Sequence, residues 1–251
     1  MEKRGIHAFV AEFIGTFALV FTIIIAVSLY HVGGQVSIPN GLSVPFIALA
    51  HALILFFLIQ TLGGVSGAHF NPAVTFALGT MKKIGWSTAV VYIIVQLAAA
   101  VTAALLVKQV LPGPAGDVNY AANLINTKEI GLGAGMVFEI IGTFFLVFAI
   151  LGVAVNPAAR QEWAALAIGT TLALGVLLFA PLTGAGFNPA RSFGPALVSG
   201  EWGSAKDFLL AYVLSPVIGA LLAVGLYQSM IATRSAKEEP PPLDMEPGMV
   251  G

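Results

Sequence analysis

The stretches Gly67–Ala73 (GAHFNPA) and Gly184–Arg191 (GAGFNPAR) constrain this chain more than any other feature. Each sets Gly-Ala, one further residue and Phe ahead of Asn-Pro-Ala, and the two lie 117 positions apart, so they read as halves of one device. Each triplet opens a short apolar segment, 70–80 and 189–198. Asn as a helix cap and Pro at the first helical position suit a helix start. Neither segment reaches the ~20 residues that a bilayer-crossing helix requires. The pattern predicts two half-helices that enter a membrane and stop.

The rest of the chain supplies the membrane. Six apolar runs, near 8–29, 44–63, 86–107, 132–154, 163–181 and 207–231, each approach spanning length. With 58% hydrophobic and 9% charged residues, the chain reads as a polytopic membrane protein rather than a soluble domain. A net charge of -1 offers no footprint for nucleic acid, and the absence of Cys excludes disulfides, thiolate metal sites and Cys nucleophiles.

The order of span, span, short segment, span occurs twice. AEFIGTFALVF from Ala11 returns as FEIIGTFFLVF from Phe138, and YIIVQLAAA from Tyr92 is answered by YVLSPVIGA from Tyr212. Three spans per half is an odd number, so the second half must sit inverted and its loop must enter from the opposite face. The expected fold is therefore an all-α membrane protein of six transmembrane helices and two re-entrant half-helices, an inverted 3+3 repeat. A single channel domain covers 1–233, with repeats of about 8–107 and 132–231, and 234–251, rich in Pro and Glu, is expected to be a disordered cytoplasmic tail.

Two half-helix N-termini meeting at mid-membrane each present unpaired amides and about half a positive charge, which disfavours a cation there. Non-helical backbone at such depth is tolerated where it is buried or lines a watery cavity, which points to a pore. Lys3, Arg4, Lys82, Lys83, Arg160, Arg234 and Lys237 fall on one side of a six-span topology, against Lys108, Lys128 and Lys206 on the other. Both termini are thus expected in the cytoplasm.

With its doubled Asn-Pro-Ala, the Arg191 that follows, and Ala11-Glu12-Phe13 at the first span, the sequence resembles the aquaporins, the major intrinsic protein family. The resemblance runs from Ala11 to the sixth span. It implies a right-handed bundle with one pore per subunit, a homotetramer, and a multi-pass location in the cell membrane. It implies pore motifs at Asn71, Pro72, Ala73, Asn188, Pro189 and Ala190, and a selectivity filter of His51, Val176, Ala185 and Arg191. By the same resemblance the carboxylates of Glu12 and Glu139 accept hydrogen bonds from the neighbouring re-entrant loops. His on the second span with Val176 on the fifth resembles the plant tonoplast intrinsic proteins more than strict water channels. Glycerol facilitators usually carry Asp after the second Asn-Pro-Ala-Arg and a basic residue four positions later, where Ser192 and Ala196 stand here.

The expected function is passive conduction of water, extending to ammonia, hydrogen peroxide or another small neutral solute, with protons and ions excluded. Asn71 and Asn188 are expected to donate to the passing solute at the centre, and His51 and Arg191 at the outer constriction, while Val176 and Ala185 set its width. His69 is expected at the cytoplasmic vestibule, His7 and His31 at span ends, and Gly169, Gly175 and Ala52 at close helix approaches. No cofactor and no metal is expected. Gly64-Val65-Ser66-Gly67 has the form seen around the nucleophile of rhomboid intramembrane proteases, but such an enzyme needs a His on a later helix, and all four His precede the third span. An alternating-access transporter, which also uses inverted repeats, is the remaining alternative.

Overall fold

The computed structural model describes residues 5–30 and 42–238; the side chains of 231–238 and the sites of Lys3, Arg4 and His31 lie outside what is described. The chain is all-helical in the described residues. Helix α1 is Ile6–Tyr30, α2 Ser43–Ser66, the half-helix α3 Pro72–Thr80, and α4 Trp86–Val110. The second half repeats the order with α5 Leu132–Ile150, α6 Ala164–Thr183, the half-helix α7 Pro189–Ser199, and α8 Ser215–Glu238. Wide helical turns at Leu151–Val155 and Leu209–Leu214 extend α5 and lead into α8.

Lengths follow from the medium to be crossed. The six long elements run 23 to 26 residues, which at ~1.5 Å per residue clears the ~30 Å hydrocarbon layer. The half-helices, at 9 and 11 residues, reach about halfway by the same rise. Their outer partners present Leu53, Phe57, Ile94, Phe145, Leu178 and Leu222, all exposed, as an apolar surface fit for lipid. α8 continues to Glu238, past the expected limit at residue 233, so the tail begins as helix; 239–251 are not described.

The halves interlock rather than sit side by side. Within each, the first helix packs on the second and on the last, α1 on α2 and α4, α5 on α6 and α8. Between them α2 lies against α6, the half-helix α7 against α4, and the half-helix α3 against α8. Small residues make the crossings possible. A side chain on Gly169 would meet the Ala52 carbonyl at 2.7 Å, and one on Gly194 the Ala100 backbone at 2.5 Å. Ala73 packs in one apolar cluster with Ala220 and Ala223 of α8, and Ala190 in another with Ala100 and Ala103 of α4. Each half-helix is thus clamped by the other repeat's last span.

Candidate pore and filter

Both re-entrant loops make the same turn from different residues. α2 and α6 end at Gly67 and Gly184, left-handed with φ of 87 and 76, a conformation that glycine adopts without strain. The chain then alternates through two further left-handed residues, Ala68 and Phe70 in one loop and Ala185 and Phe187 in the other. For residues with a Cβ such φ values are strained by about 1 kcal/mol or more each. The compensation is a buried carboxylate. Glu12 accepts from the backbone N–H of His69 (3.0 Å) and Phe70 (2.8 Å), and from the Ser66 hydroxyl (2.7 Å) and Gln96 amide (2.8 Å). Glu139 accepts from the N–H of Gly186 (2.9 Å) and Phe187 (2.7 Å) and from the Thr183 hydroxyl (2.6 Å). Such charge-assisted bonds, each worth ~1.5–3 kcal/mol, hold the strained turn in place. Tyr92 and Tyr212 donate to the carbonyls of Ser66 and Thr183 at 2.9 and 2.8 Å, a further matched pair.

The Phe rings fix the depth of each loop. Phe70 lies flush on Gly15 and Phe187 on Gly142, so that a Cβ on either glycine would fall inside the ring. The turn delivers Asn71 and Asn188 as helix caps: Asn71 Oδ1 accepts from Ala73 N–H at 2.9 Å, and Asn188 Oδ1 from Ala190 N–H at 3.0 Å and Arg191 N–H at 3.3 Å. Pro72 and Pro189 occupy the first helical positions.

The asparagine amides do more than face a solute. Asn71 Nδ2 donates to the Phe187 carbonyl at 2.9 Å and Asn188 Nδ2 to the Phe70 carbonyl at 2.8 Å, so each loop's Asn ties it to the other loop. An amide nitrogen carries two hydrogens, and one on each remains. Both Asn line a cavity of about 70 Å³ at the meeting point, together with His69, Gly186 and Arg191. The opposite wall is apolar, with Leu19, Ile23, Leu55, Leu146, Ile168 and Leu172. His69 is buried, meets Thr75 at 3.1 Å and lies edge-on to Tyr92. His7 is exposed at the start of α1.

A wider cavity of about 400 Å³ opens on the face away from the N-terminus, lined in part by Val176, Gly184 and Asn123. His51 and Arg191 line both cavities and so stand at the boundary between them. Of the four expected filter residues, the structure brings these two together with Val176. Ala185 lines neither cavity. It is buried in the apolar cluster with Val176, Leu172 and Phe187, while its glycine neighbours Gly184 and Gly186 line the cavity walls. At His51 the Nδ1 atom lies 2.8 Å from the Ile47 carbonyl, one helical turn back, and, since a carbonyl only accepts, Nδ1 is the donor in that contact.

Sequence reasoning missed Asn123. It sits in the connection after α4, where Asn119, Tyr120 and Ala121 are all left-handed. Its Oδ1 accepts from Arg191 Nη1 at 2.6 Å and its Nδ2 donates to the Gly184 carbonyl at 2.7 Å, while the Ala121 carbonyl takes the same Nη1 at 2.8 Å. Arg191 is thus buried and held by Nη1 at the edge of both cavities. No local pattern around Asn123 announces this, because the contact spans 68 positions. A third triplet, Asn156-Pro157-Ala158, also bonds within itself, Ala158 N–H to Asn156 Oδ1 at 3.0 Å, but it forms only an exposed turn after α5. The triplet alone does not make a half-helix. It needs the carboxylate and the left-handed turn before it.

Comparison with known proteins agrees with this architecture. The model of the family described as Major intrinsic protein matches residues 2–227. Aquaporin NIP3-1 of Arabidopsis thaliana is 36% identical over 93% of this chain and 70% of its own length. Nodulin-26 of Glycine max is 35% identical over 87% of this chain and 75% of its own. The glycerol uptake facilitator protein-like 6 of Lactiplantibacillus plantarum is 37% identical over 86% and 94%. The X-ray structure of the aquaglyceroporin from Plasmodium falciparum superposes with a TM-score of 0.79 at 25% identity, covering 92% of this chain and 99% of that one. These relatives are NIP-type aquaporins and glycerol channels, whereas the filter residues alone had suggested the tonoplast group. Two inverted three-span halves, two capped half-helices meeting on one cavity, and a match over nearly the whole chain together place this integral membrane protein in the major intrinsic protein family of aquaporin-type channels.

Proposed function

We propose that the chain is a passive channel for water and small neutral solutes, ammonia among them, and that it excludes protons and ions. The observation carrying this reading is the cavity between the half-helices, polar on one side and apolar on the other, into which both capped N-termini point. Asn71 and Asn188, each with a second amide hydrogen, orient a passing oxygen or nitrogen at the centre. Arg191 and the helix N-termini repel a cation, whose dehydration is costly in any case, as is general for aquaporin-type pores. Val176 and His51, which line the same cavity, give a filter of tonoplast-like character, in which an imidazole at position 176 would narrow the passage. In keeping with the family we place both termini in the cytoplasm of a cell-membrane homotetramer.

Glycerol conduction is a second reading, supported by the continuous apolar wall of Leu19, Ile23, Leu55, Ile168 and Leu172. Reconstituted vesicles under osmotic gradients of sucrose, glycerol and urea, with internal pH followed during an ammonia gradient, decide between the two. Water and ammonia permeability above bare lipid with little for glycerol is expected, and Val176→His should reduce ammonia flux more than water flux. Saturable, ion-coupled uptake would replace the channel with a transporter. Water flux without ammonia flux would remove the broader range.

A further inference from the structure

We infer that Ile59, Ala68, Val74 and Ile168 form a second selectivity ring, on the opposite side of the Asn pair from Arg191, which excludes alkali cations by withholding hydrogen-bond partners rather than by charge. This rests on the channel reading above and adds a barrier that Arg191 does not supply.

The inverted repeat generates the ring. The two loops lie 117 positions apart, and the same offset relates the end of α2 at Gly67 to that of α6 at Gly184. Applied to the proposed filter, it pairs His51 with Ile168, Val176 with Ile59, Ala185 with Ala68 and Arg191 with Val74. All four counterparts line the central cavity, and none of their side chains can donate or accept a hydrogen bond. The step from His51 to Ile59 on α2 is eight residues, and that from Ile168 to Val176 on α6 is the same, so the two sets stand about 12 Å apart along the pore.

Inversion conserves the position and not the chemistry. Where Arg191 offers N–H groups and a charge, Val74 offers a hydrocarbon surface at the same turn of its half-helix. His69, which also lines the cavity, is drawn to Thr75 at 3.1 Å and lies edge-on to Tyr92. Beyond the ring the cavity, about 70 Å³ in all, continues along Leu78, Ile150 and Ala154, again without a polar side chain.

A cation at the ring must leave its hydration shell and receives no side-chain oxygen in exchange, a cost that requires no fixed charge on the protein. Water and ammonia lose less, because in a file of molecules each keeps its hydrogen-bonded neighbours ahead and behind. A proton handed along that file sheds no shell at all. The ring therefore stops potassium and sodium and adds nothing against protons, whereas the charge on Arg191 opposes both.

The test uses the full-length protein in vesicles, with potassium leak, proton leak and water permeability read per folded channel. Arg191→Val removes the charge and serves as the background on which the ring alone is left to hold potassium back. Val74→Thr on that background, equal in size and carrying a hydroxyl, should raise potassium leak about two- to tenfold, the range one neutral hydrogen bond is worth, with proton leak unchanged. Ile168→Thr on the same background should do the same, and it decides the matter if Val74→Thr does not fold. No rise in potassium leak in a Thr variant that folds and conducts water overturns the inference. So does a rise in proton leak by the same factor as potassium, which would mean that the pore has merely widened. No water permeability above bare lipid in the wild type would instead overturn the channel reading, and the ring with it.

Discussion

Around Asn71 the Glu12 carboxylate collects four donors, and Gln96 from α4 bridges it to Thr75 with bonds of 2.8 and 3.0 Å. Around Asn188 the Glu139 carboxylate collects three, because Pro216 stands where the repeat would put Gln96, and Ser192, in Thr75's place, is left buried with no hydrogen-bond partner among the described residues. The backbone of the two loops is the same, with left-handed residues at matching positions and Phe rings on matching glycines. The side chains facing the pore are not. His69 and Val74 in the first loop correspond to Gly186 and Arg191 in the second. The shared part builds the half-helix. The differing part, where the absence of a side chain at Gly186 and the presence of Arg191 go together, forms the proposed filter at one loop only.

Breaking the shared part should have the largest effect, and the same effect in both halves. Gly15→Leu and Gly142→Leu each put carbon atoms inside a Phe ring, overpacking that typically costs ~1–3 kcal/mol and occasionally more. Size-exclusion profiles of the tagged variants should show little monodisperse protein. A well-folded Gly142→Leu beside a lost Gly15→Leu would mean that the two loops are not held alike.

The caps come next. Asn71→Leu and Asn188→Leu each remove a cap, worth about 1 kcal/mol, and a bond to the opposite loop of similar order. Lower melting temperatures and reduced water flux per folded channel are expected in both. Unchanged unitary water permeability in either variant would count against the central role given to the Asn pair.

The filter should break in one half alone. Arg191→Val should admit urea, glycerol or protons, and Asn123→Ala should do so to a smaller degree, because it frees Arg191 Nη1 and the Gly184 carbonyl of one bond each, ~1 kcal/mol apiece. Solute flux and proton leak in vesicles measure this. If Asn123→Ala leaks as much as Arg191→Val, the Asn holds the whole filter rather than the Arg alone. If it leaks not at all, the Ala121 carbonyl suffices.

The smallest effect sharpens the comparison most. Thr75→Ala removes an oxygen bonded by Gln96 and met by His69, and should lower stability by ~1 kcal/mol. Ser192→Ala removes a buried hydroxyl without a partner among the described residues, and thermal melting in detergent should show no loss or a slight gain. Equal losses would mean that Ser192 has found a partner that Thr75's counterpart network does not reveal.

The sequence by itself determined the spans, the inversion and the two half-helices, because these depend on local quantities. Run length against bilayer thickness, an odd number of spans per repeat, and Asn-Pro at a helix start can all be counted along the chain. The repeat also placed Glu12 and Glu139 at matching positions, and the family resemblance assigned each to its neighbouring loop. What only the tertiary structure decided are facts that depend on how distant segments meet. Ala185 and its glycine neighbours differ by one methyl in the sequence, and only the fold buries that residue in the apolar cluster and leaves the two glycines on the cavity walls. Asn156-Pro157-Ala158 spells the same triplet as the pore loops yet remains a surface turn, for want of a buried carboxylate and a partner loop. The hold of Asn123 on Arg191, the exchange of amide bonds between Asn71 and Asn188, and the use of His51 Nδ1 within its own helix are choices among hydrogen-bond partners. Composition names the donors and acceptors; only burial and distance select which of them pair.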